Sequence, residues 1–123
     1  MDPYTLLALL SAFTVKHFFC DYLLQTPWML ANKSRYGHPG GLAHVALHGL
    51  GSIPVLWIAA PGIWLFAALL VAEAVVHYHI DFIKARVSER TGWTPADRAY
   101  WAAFGIDQSL HHATYLAMVA ALL

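Results

Sequence analysis

Four long apolar stretches separated by polar punctuation dominate the chain. The first runs from about residue 3 to 26 and meets Pro27, which cannot donate a helical hydrogen bond. A polar stretch follows, ANKSRYGHPGG, whose glycines and proline predict a loop. The second stretch covers about 42–60, with Pro54 inside it as an expected kink. Ala60-Pro61-Gly62 predicts a tight turn, and the third stretch covers about 63–87. SERTGWTPAD is the next polar connection; Thr94-Pro95 reads as an N-cap followed by proline at the first helical position. The fourth stretch covers about 96–123. About 20 apolar residues span a bilayer as a helix. The pattern therefore predicts an all-α chain, a single integral-membrane antiparallel four-helix bundle. The opening MDPYTLLALLSAF lacks the basic start of a secretory signal and is expected to be a mature helix.

Charge placement orients this bundle. Lys33 and Arg35 lie in the first connection, and Lys84, Arg86, Arg90 and Arg98 in or beside the third. Six of the seven cations thus fall on one face, which the positive-inside rule assigns to the cytoplasm, leaving both termini on the non-cytoplasmic side. Trp28, Tyr36, Trp93, Tyr100 and Trp101 predict one interfacial belt, and Tyr4, Trp57 and Trp64 the other.

Composition sharpens the reading. The 123 residues are 59% hydrophobic and 11% charged, too few charges to cover a soluble surface. Seven basic residues balance seven acidic ones, which argues against nucleic acid as a partner. The lone Cys20 excludes an intramolecular disulfide and a cysteine-based zinc site. Eight histidines outnumber either charge class.

Those histidines are patterned. Each stretch carries a polar pair four residues apart: His17 and Asp21, His44 and His48, His77 and Asp81, Asp107 and His111. Residues at i and i+4 share a helix face, so each pair can line one pocket or chelate one ion. Measured from the cytoplasmic end of its own helix, every pair falls within roughly 3–20 Å of the surface at ~1.5 Å per residue. The outer half is bare: residues 3–15, 49–72 and 113–123 contain no Asp, Glu, Lys, Arg or His. A single protomer therefore offers no polar path across the membrane, which argues against a channel; a homo-oligomer would be needed to supply one.

Carboxylates isolated in hydrocarbon cost several kcal/mol each, roughly. Lys16 and Lys84 can neutralise two of the three aspartates. One or two divalent ions neutralise all three and use the imidazoles as neutral ligands; a His/Asp set without cysteine suits zinc, with iron or manganese as alternatives. The ligand set is His17, Asp21, His44, His48, His77, Asp81, Asp107 and His111, enough for a two-metal centre. Asp21, Asp81 and Asp107 carry the catalytic expectation. Gln25, Lys33, Lys84 and Gln108 are candidate substrate-binding groups, and Arg86 a further phosphate contact. Glu73 is a ligand, a partner of His77 or a buried protonated carboxyl, and His38 is expected in a solvated loop. His79 and His112 point away from their neighbours in the pairs. A structural polar network joining membrane helices is the competing account of the layer.

Lys16-His17 through Asp21 and Gln25, Trp28-Met29, Lys33, His44, His77 through Asp81 and Lys84, and Asp107-Gln108 through His111 resemble the signature of the domain-of-unknown-function 3307 family of small bacterial membrane proteins. The resemblance covers nearly the whole chain and implies a multi-pass protein of the bacterial inner membrane. More loosely, His and Asp on successive short helices look like the bacterial inner-membrane metal-dependent hydrolases, which themselves resemble the helical zinc-dependent phospholipase C and nuclease group. This chain is shorter than those soluble enzymes and membrane-embedded. The resulting expectation is a metal-dependent hydrolase acting at the cytoplasmic leaflet on a lipid or lipid-linked phosphoester. The alternatives are a di-metal oxidoreductase and a non-enzymatic metal-binding or accessory subunit. The oxidoreductase signature, Glu with Glu-x-x-His, is not the spacing seen here.

Overall fold

The structure is a computed structural model that describes all 123 residues, and it is entirely helical. Helix α1 spans Pro3–Phe18. Asp2 caps it, accepting from the backbone N–H of Tyr4 at 2.9 Å and of Thr5 at 3.1 Å, with Pro3 at the first helical position. The Thr5 hydroxyl and these N–H groups hold the exposed Asp2 carboxyl below its usual range. The helix runs on into a π-helical turn, Phe19–Leu23, closed by Leu24 N–H donating to the Phe19 carbonyl at 2.9 Å. Such turns insert an extra residue into the helical register and cluster at functional sites. Here the turn carries Asp21.

The connections differ from the sequence expectation in ways that proline chemistry explains. Pro27 does not merely stop α1; it opens a short helix, α2 (Pro27–Ala31), capped by the Thr26 hydroxyl. The predicted loop ends early, because α3 spans Pro39–Trp57 and so takes in Gly40 and Gly41. His38 is its cap, Nδ1 accepting from Gly40 N–H at 3.0 Å, and is half-buried rather than solvated. Helix α3 continues through Pro54. Helix α4 spans Ile63–Thr91, one turn beyond the expected end, and stops at Gly92, whose φ of +65° glycine adopts at little cost. Helix α5 spans Arg98–Ala120. Thr94-Pro95 does not begin it: Thr94 donates its N–H and hydroxyl to the Asp97 carboxylate at 2.8 and 3.0 Å, a turn that precedes the helix.

Packing closes the four long helices into a ring. Helix α3 lies against α1 and α4, α5 lies against α4 and α1, and α2 rests on α3. One half of the ring is filled by Leu9 and Phe13 of α1, Val55 and Leu56 of α3, Leu69 of α4, and Tyr115, Met118 and Val119 of α5. The other half holds the four polar pairs. Eleven of the 23 buried residues are polar or charged, whereas Leu7, Leu50, Val71, Ile106 and Leu116 are exposed. A water-soluble domain has the opposite distribution.

Two helices are long and apolar enough to cross a membrane, Pro3–Leu23 and Ile63–Thr91. Only 28% and 17% of their apolar windows are buried, unlike the core helices of a soluble protein. Helices α3 and α5 do not reach that apolarity. The first contains two histidines and internal glycines and proline; the second contains Asp107, Gln108, His111 and His112.

The ring predicts an asymmetry between inside and outside. Phe13 is 1% exposed and stacks on Tyr115 with ring centroids 4.9 Å apart. Phe13→Ala should destabilise the protein by about 3–5 kcal/mol, measured as a loss of thermal stability in detergent. Leu50→Ala, on the outer face, should cost no more than about 0.5 kcal/mol. Equal costs would contradict the packing described.

Candidate metal centre

The i, i+4 pairs of α1, α3, α4 and α5 all point into the ring at one level. Helical periodicity explains half of this, since each pair shares a face. Asp21 lies in the π-helical turn and meets two histidines of α3 as well as His17. Asp21 Oδ1 lies 3.0 Å from His48 Nε2 and 3.1 Å from His44 Nε2. His44 Nε2 and His77 Nε2 are 3.3 Å apart. Asp81 Oδ2 lies 3.2 Å from His44 Nε2 and 3.3 Å from His77 Nε2. Ligands of a tetrahedral ion with bonds of 2.0–2.1 Å stand roughly 3.3–3.4 Å from one another. Five contacts therefore approach the edge length of such a polyhedron.

Two groups can hold a metal ion. One is Asp21, His44, His48 and His77; the other is His77, Asp81 and His111; within each, the ligand atoms all lie within 4.8 Å of one another. His77 belongs to both. The hydrogen-bond inventory fits an ion better than a closed polar network. His111 Nδ1 faces the Asp107 backbone carbonyl at 2.8 Å, so Nδ1 carries the proton and Nε2 has only its lone pair. That Nε2 is buried without a partner, 3.9 Å from Asp81 Oδ1. Asp81 Oδ2 has Lys33 Nζ at 3.0 Å and two imidazoles nearby, yet no contact with hydrogen-bond geometry. His44 Nδ1 and Asp107 Oδ1 are also buried and unpartnered. Buried polar atoms are ordinarily satisfied; four of the seven that lack a hydrogen-bond partner belong to these residues and Asp107, the others to Gln25, Ser52 and Glu73.

Six of the eight expected ligands thus converge, and His17 and Asp107 stand beside them. His17 Nε2 faces Gln108 Oε1 at 2.9 Å and Asp21 Oδ2 at 3.3 Å. Asp107 accepts from Gln108 Nε2 at 3.1 Å. Gln25 donates to the Asp21 backbone carbonyl at 3.0 Å, and its Oε1 is buried without a partner. Lys33 is 9% exposed, drawn inward from the connection after α2 to pair with Asp81. Lys84 reaches over the Phe104 ring. A cavity of about 240 Å³ joins these groups, with Asp21, Gln25, Lys33, Asp81, Lys84 and Asp107 among its walls. Arg86 instead pairs with Glu89 on the surface at 3.0 Å.

Several residues take roles the spacing did not suggest. Lys16 does not neutralise an aspartate; it pairs with Glu73, and both are buried. Glu73 is therefore neither a member of the ligand groups nor a solitary carboxyl. Tyr115 was not singled out from the sequence. It lies four residues beyond His111, and continuing the same face by one turn would have found it. Its hydroxyl meets Lys16 Nζ at 3.1 Å, His17 Nδ1 at 3.1 Å and His48 Nδ1 at 3.4 Å. His79 is satisfied at the surface, between the Val75 carbonyl at 2.7 Å and the Tyr36 hydroxyl at 3.1 Å. His112 is exposed beside the His17 ring.

Comparison with known proteins gives a family and no activity. Neither the curated proteins nor the solved structures contain a match to this chain. One family model, described as protein of unknown function (DUF3307), matches residues 9–123. That span contains every residue of both ligand groups, and the chain belongs to the DUF3307 family.

Proposed function

We propose that this chain is a membrane-embedded, metal-dependent hydrolase that acts on a lipid or lipid-linked phosphoester from the cytoplasmic side of the bacterial inner membrane. The observation that carries the reading is the convergence of imidazole and carboxylate atoms at ligand-like spacing beside a lysine-lined cavity. The bilayer setting is supported by the outward apolar faces of the ring and by six of seven cations collected toward one end. In this setting α1, α3, α4 and α5 are four antiparallel spans, with both termini outside.

The His/Asp donor set fits one or two zinc ions, His77 serving one of them through its single Nε2 lone pair, and iron or manganese would be accepted by the same ligands. Such ions lower the pKa of bound water to about 7 and polarise a phosphoryl oxygen. The chain's own residues supply the rest. Asp21 and Asp81 hold the ions and offset their charge. Asp107 stands on the wall of the cavity with Oδ1 unpartnered, placed to accept a proton there. Lys33 and Lys84 face the same space and suit a phosphate. Gln25 and Gln108 orient groups at its floor.

A second feature favours an amphiphilic substrate. An apolar groove of about 390 Å³ runs between α4 and α5. Ala99, Ala102 and Ala103 leave space on α5 opposite Ile80, Ile83 and Val87 on α4. Lys84 and Asp107 line both the groove and the polar cavity. An acyl chain in the groove would bring its phosphate to the lysines by lateral entry from the membrane.

Protein purified without chelator should contain one or two equivalents of zinc by elemental analysis. Asp81→Ala should lose metal, whereas Arg86→Ala should retain it; identical behaviour would overturn the ligand assignment. In nanodiscs the zinc-loaded protein should hydrolyse an acylated phosphodiester probe, and Asp107→Asn should lower the rate by about 10²–10⁴-fold with metal content unchanged. Iron as the retained metal together with oxygen consumption would replace hydrolysis with the oxidoreductase reading. Alkaline phosphatase fused to the C-terminus should be active in cells, and an inactive fusion would refute the assigned orientation.

A further inference from the structure

The side chain of Gln108 dictates where protons sit in the centre. Its amide touches two carboxylates on one side, Asp21 Oδ2 at 3.2 Å and Asp107 Oδ2 at 3.1 Å. Carboxylates only accept, so that side is the NH₂ group and both of its hydrogens are used. The other side is then the carbonyl oxygen, which accepts from the Tyr22 hydroxyl at 3.1 Å and faces His17 Nε2 at 2.9 Å. The second neighbour of His17 Nε2, Asp21 Oδ2 at 3.3 Å, is also an acceptor. His17 Nε2 must carry a hydrogen. A neutral imidazole protonated there offers only a lone pair at Nδ1, and Nδ1 lies 3.1 Å from the Tyr115 hydroxyl.

The same logic passes through Tyr115. Its single hydrogen goes to His17 Nδ1. Its oxygen then accepts, and the two remaining neighbours are Lys16 Nζ at 3.1 Å and His48 Nδ1 at 3.4 Å. Lys16, fixed by its buried pairing with Glu73, is a donor in any state. A metal-bound His48 therefore holds its hydrogen on Nδ1, toward the Tyr115 oxygen, and keeps a bare lone pair on Nε2; without a metal, Nε2 can donate to Asp21 instead. That lone pair faces Asp21 Oδ1 at 3.0 Å. Two lone pairs so close repel unless a cation lies between them.

We infer that His17 is a positioning residue and not a metal ligand, and that Gln108, His17 and Tyr115 form a directed hydrogen-bond relay that sets His48 as the tautomer whose Nε2 receives the metal. The Lys16–Glu73 pair anchors the relay at its deep end. The placement of protons on His17 stands on hydrogen-bond chemistry alone; the role of His48 rests on the metal-centre reading above. Residues that hold a ligand's far nitrogen typically change metal affinity 10–100-fold when removed.

The test is nitrogen NMR on histidine-labelled protein in nanodiscs, without metal and after adding ¹¹³Cd²⁺. His17 Nε2 should show an N–H signature in both states and no coupling to cadmium. With cadmium bound, His48 should show an N–H at Nδ1 and cadmium coupling at Nε2. Cadmium coupling at His17, or a cadmium-loaded His48 with its hydrogen on Nε2, would overturn the relay. Tyr115→Phe should bind Zn²⁺ about 10–100-fold more weakly with unchanged stoichiometry, while His48→Ala should lose an ion. A Tyr115→Phe affinity equal to wild type would count against the relay, and if that variant does not fold the wild-type spectra decide. Should no metal bind at all, the hydrolase reading fails and the metal-free His17 signal still tests the proton placement.

Discussion

Negative charge placed between helices whose outer faces are apolar must be met from inside the ring, and this constraint organises the protein. Asp21, Asp81 and Asp107 cannot turn outward to apolar surroundings, because an unpaired carboxylate there costs several kcal/mol, roughly. Asp21 and Asp81 are faced by groups from other elements, whereas Asp107 is met by Gln108 of its own helix. His44 and His48 of α3 approach Asp21 of α1; His44 and His77 approach Asp81; Lys33 folds in from a connection to pair with Asp81. The helices are held at this level by polar contacts across the ring, and at the other end by an apolar core of ordinary type. Between them sits the Lys16–Glu73 pair with Tyr115, the last polar layer before the core begins.

The organisation separates rigidity from chemistry. Leu9, Phe13, Leu56 and Leu69 are closely packed, and the stacking of Phe13 on Tyr115 ties that packing to the polar layer. Tyr115 thus faces two ways, an apolar ring against the core and a hydroxyl against His17 and His48, as buried tyrosines commonly do. At the other end the cavity and the α4–α5 groove leave space where the polar layer approaches the connections. Asp81 and Asp107, each with a buried carboxylate oxygen that lacks a hydrogen-bond partner, line this end. A site that is rigid behind and open in front suits a ligand whose polar end lies toward the connections.

Much of this was legible before any coordinates. The spacing of His17 and Asp21, His44 and His48, His77 and Asp81, and Asp107 and His111 identified four inward faces and their common level. Six of those eight residues do supply atoms to the two ligand groups. The connections were less legible. Pro27 and Pro39 were read as ends or loops, although proline begins helices as readily as it ends them, and only the caps at Thr26 and His38 distinguish the two. Lys33 was expected in the first connection as a substrate-binding group, and its pairing with Asp81 was not foreseen; its long flexible stem lets it reach that carboxylate.

By itself the sequence determined the all-helical class, the inward face of each long helix and the His/Asp make-up of the buried layer. These depend on periodicity and composition, which are local properties of the chain. Tertiary structure decided what no spacing contains: that Asp21, in a π-helical turn, meets two histidines of α3, that Lys16 serves Glu73 rather than an aspartate, and that Gln108 and Tyr115 bracket His17. Each depends on which atoms from different helices fall within about 3 Å of one another, and hydrogen-bond chemistry acts only at that range. Eight candidate ligands follow from the order of residues along the chain; which six of them bring ligand atoms together follows from the helices around them.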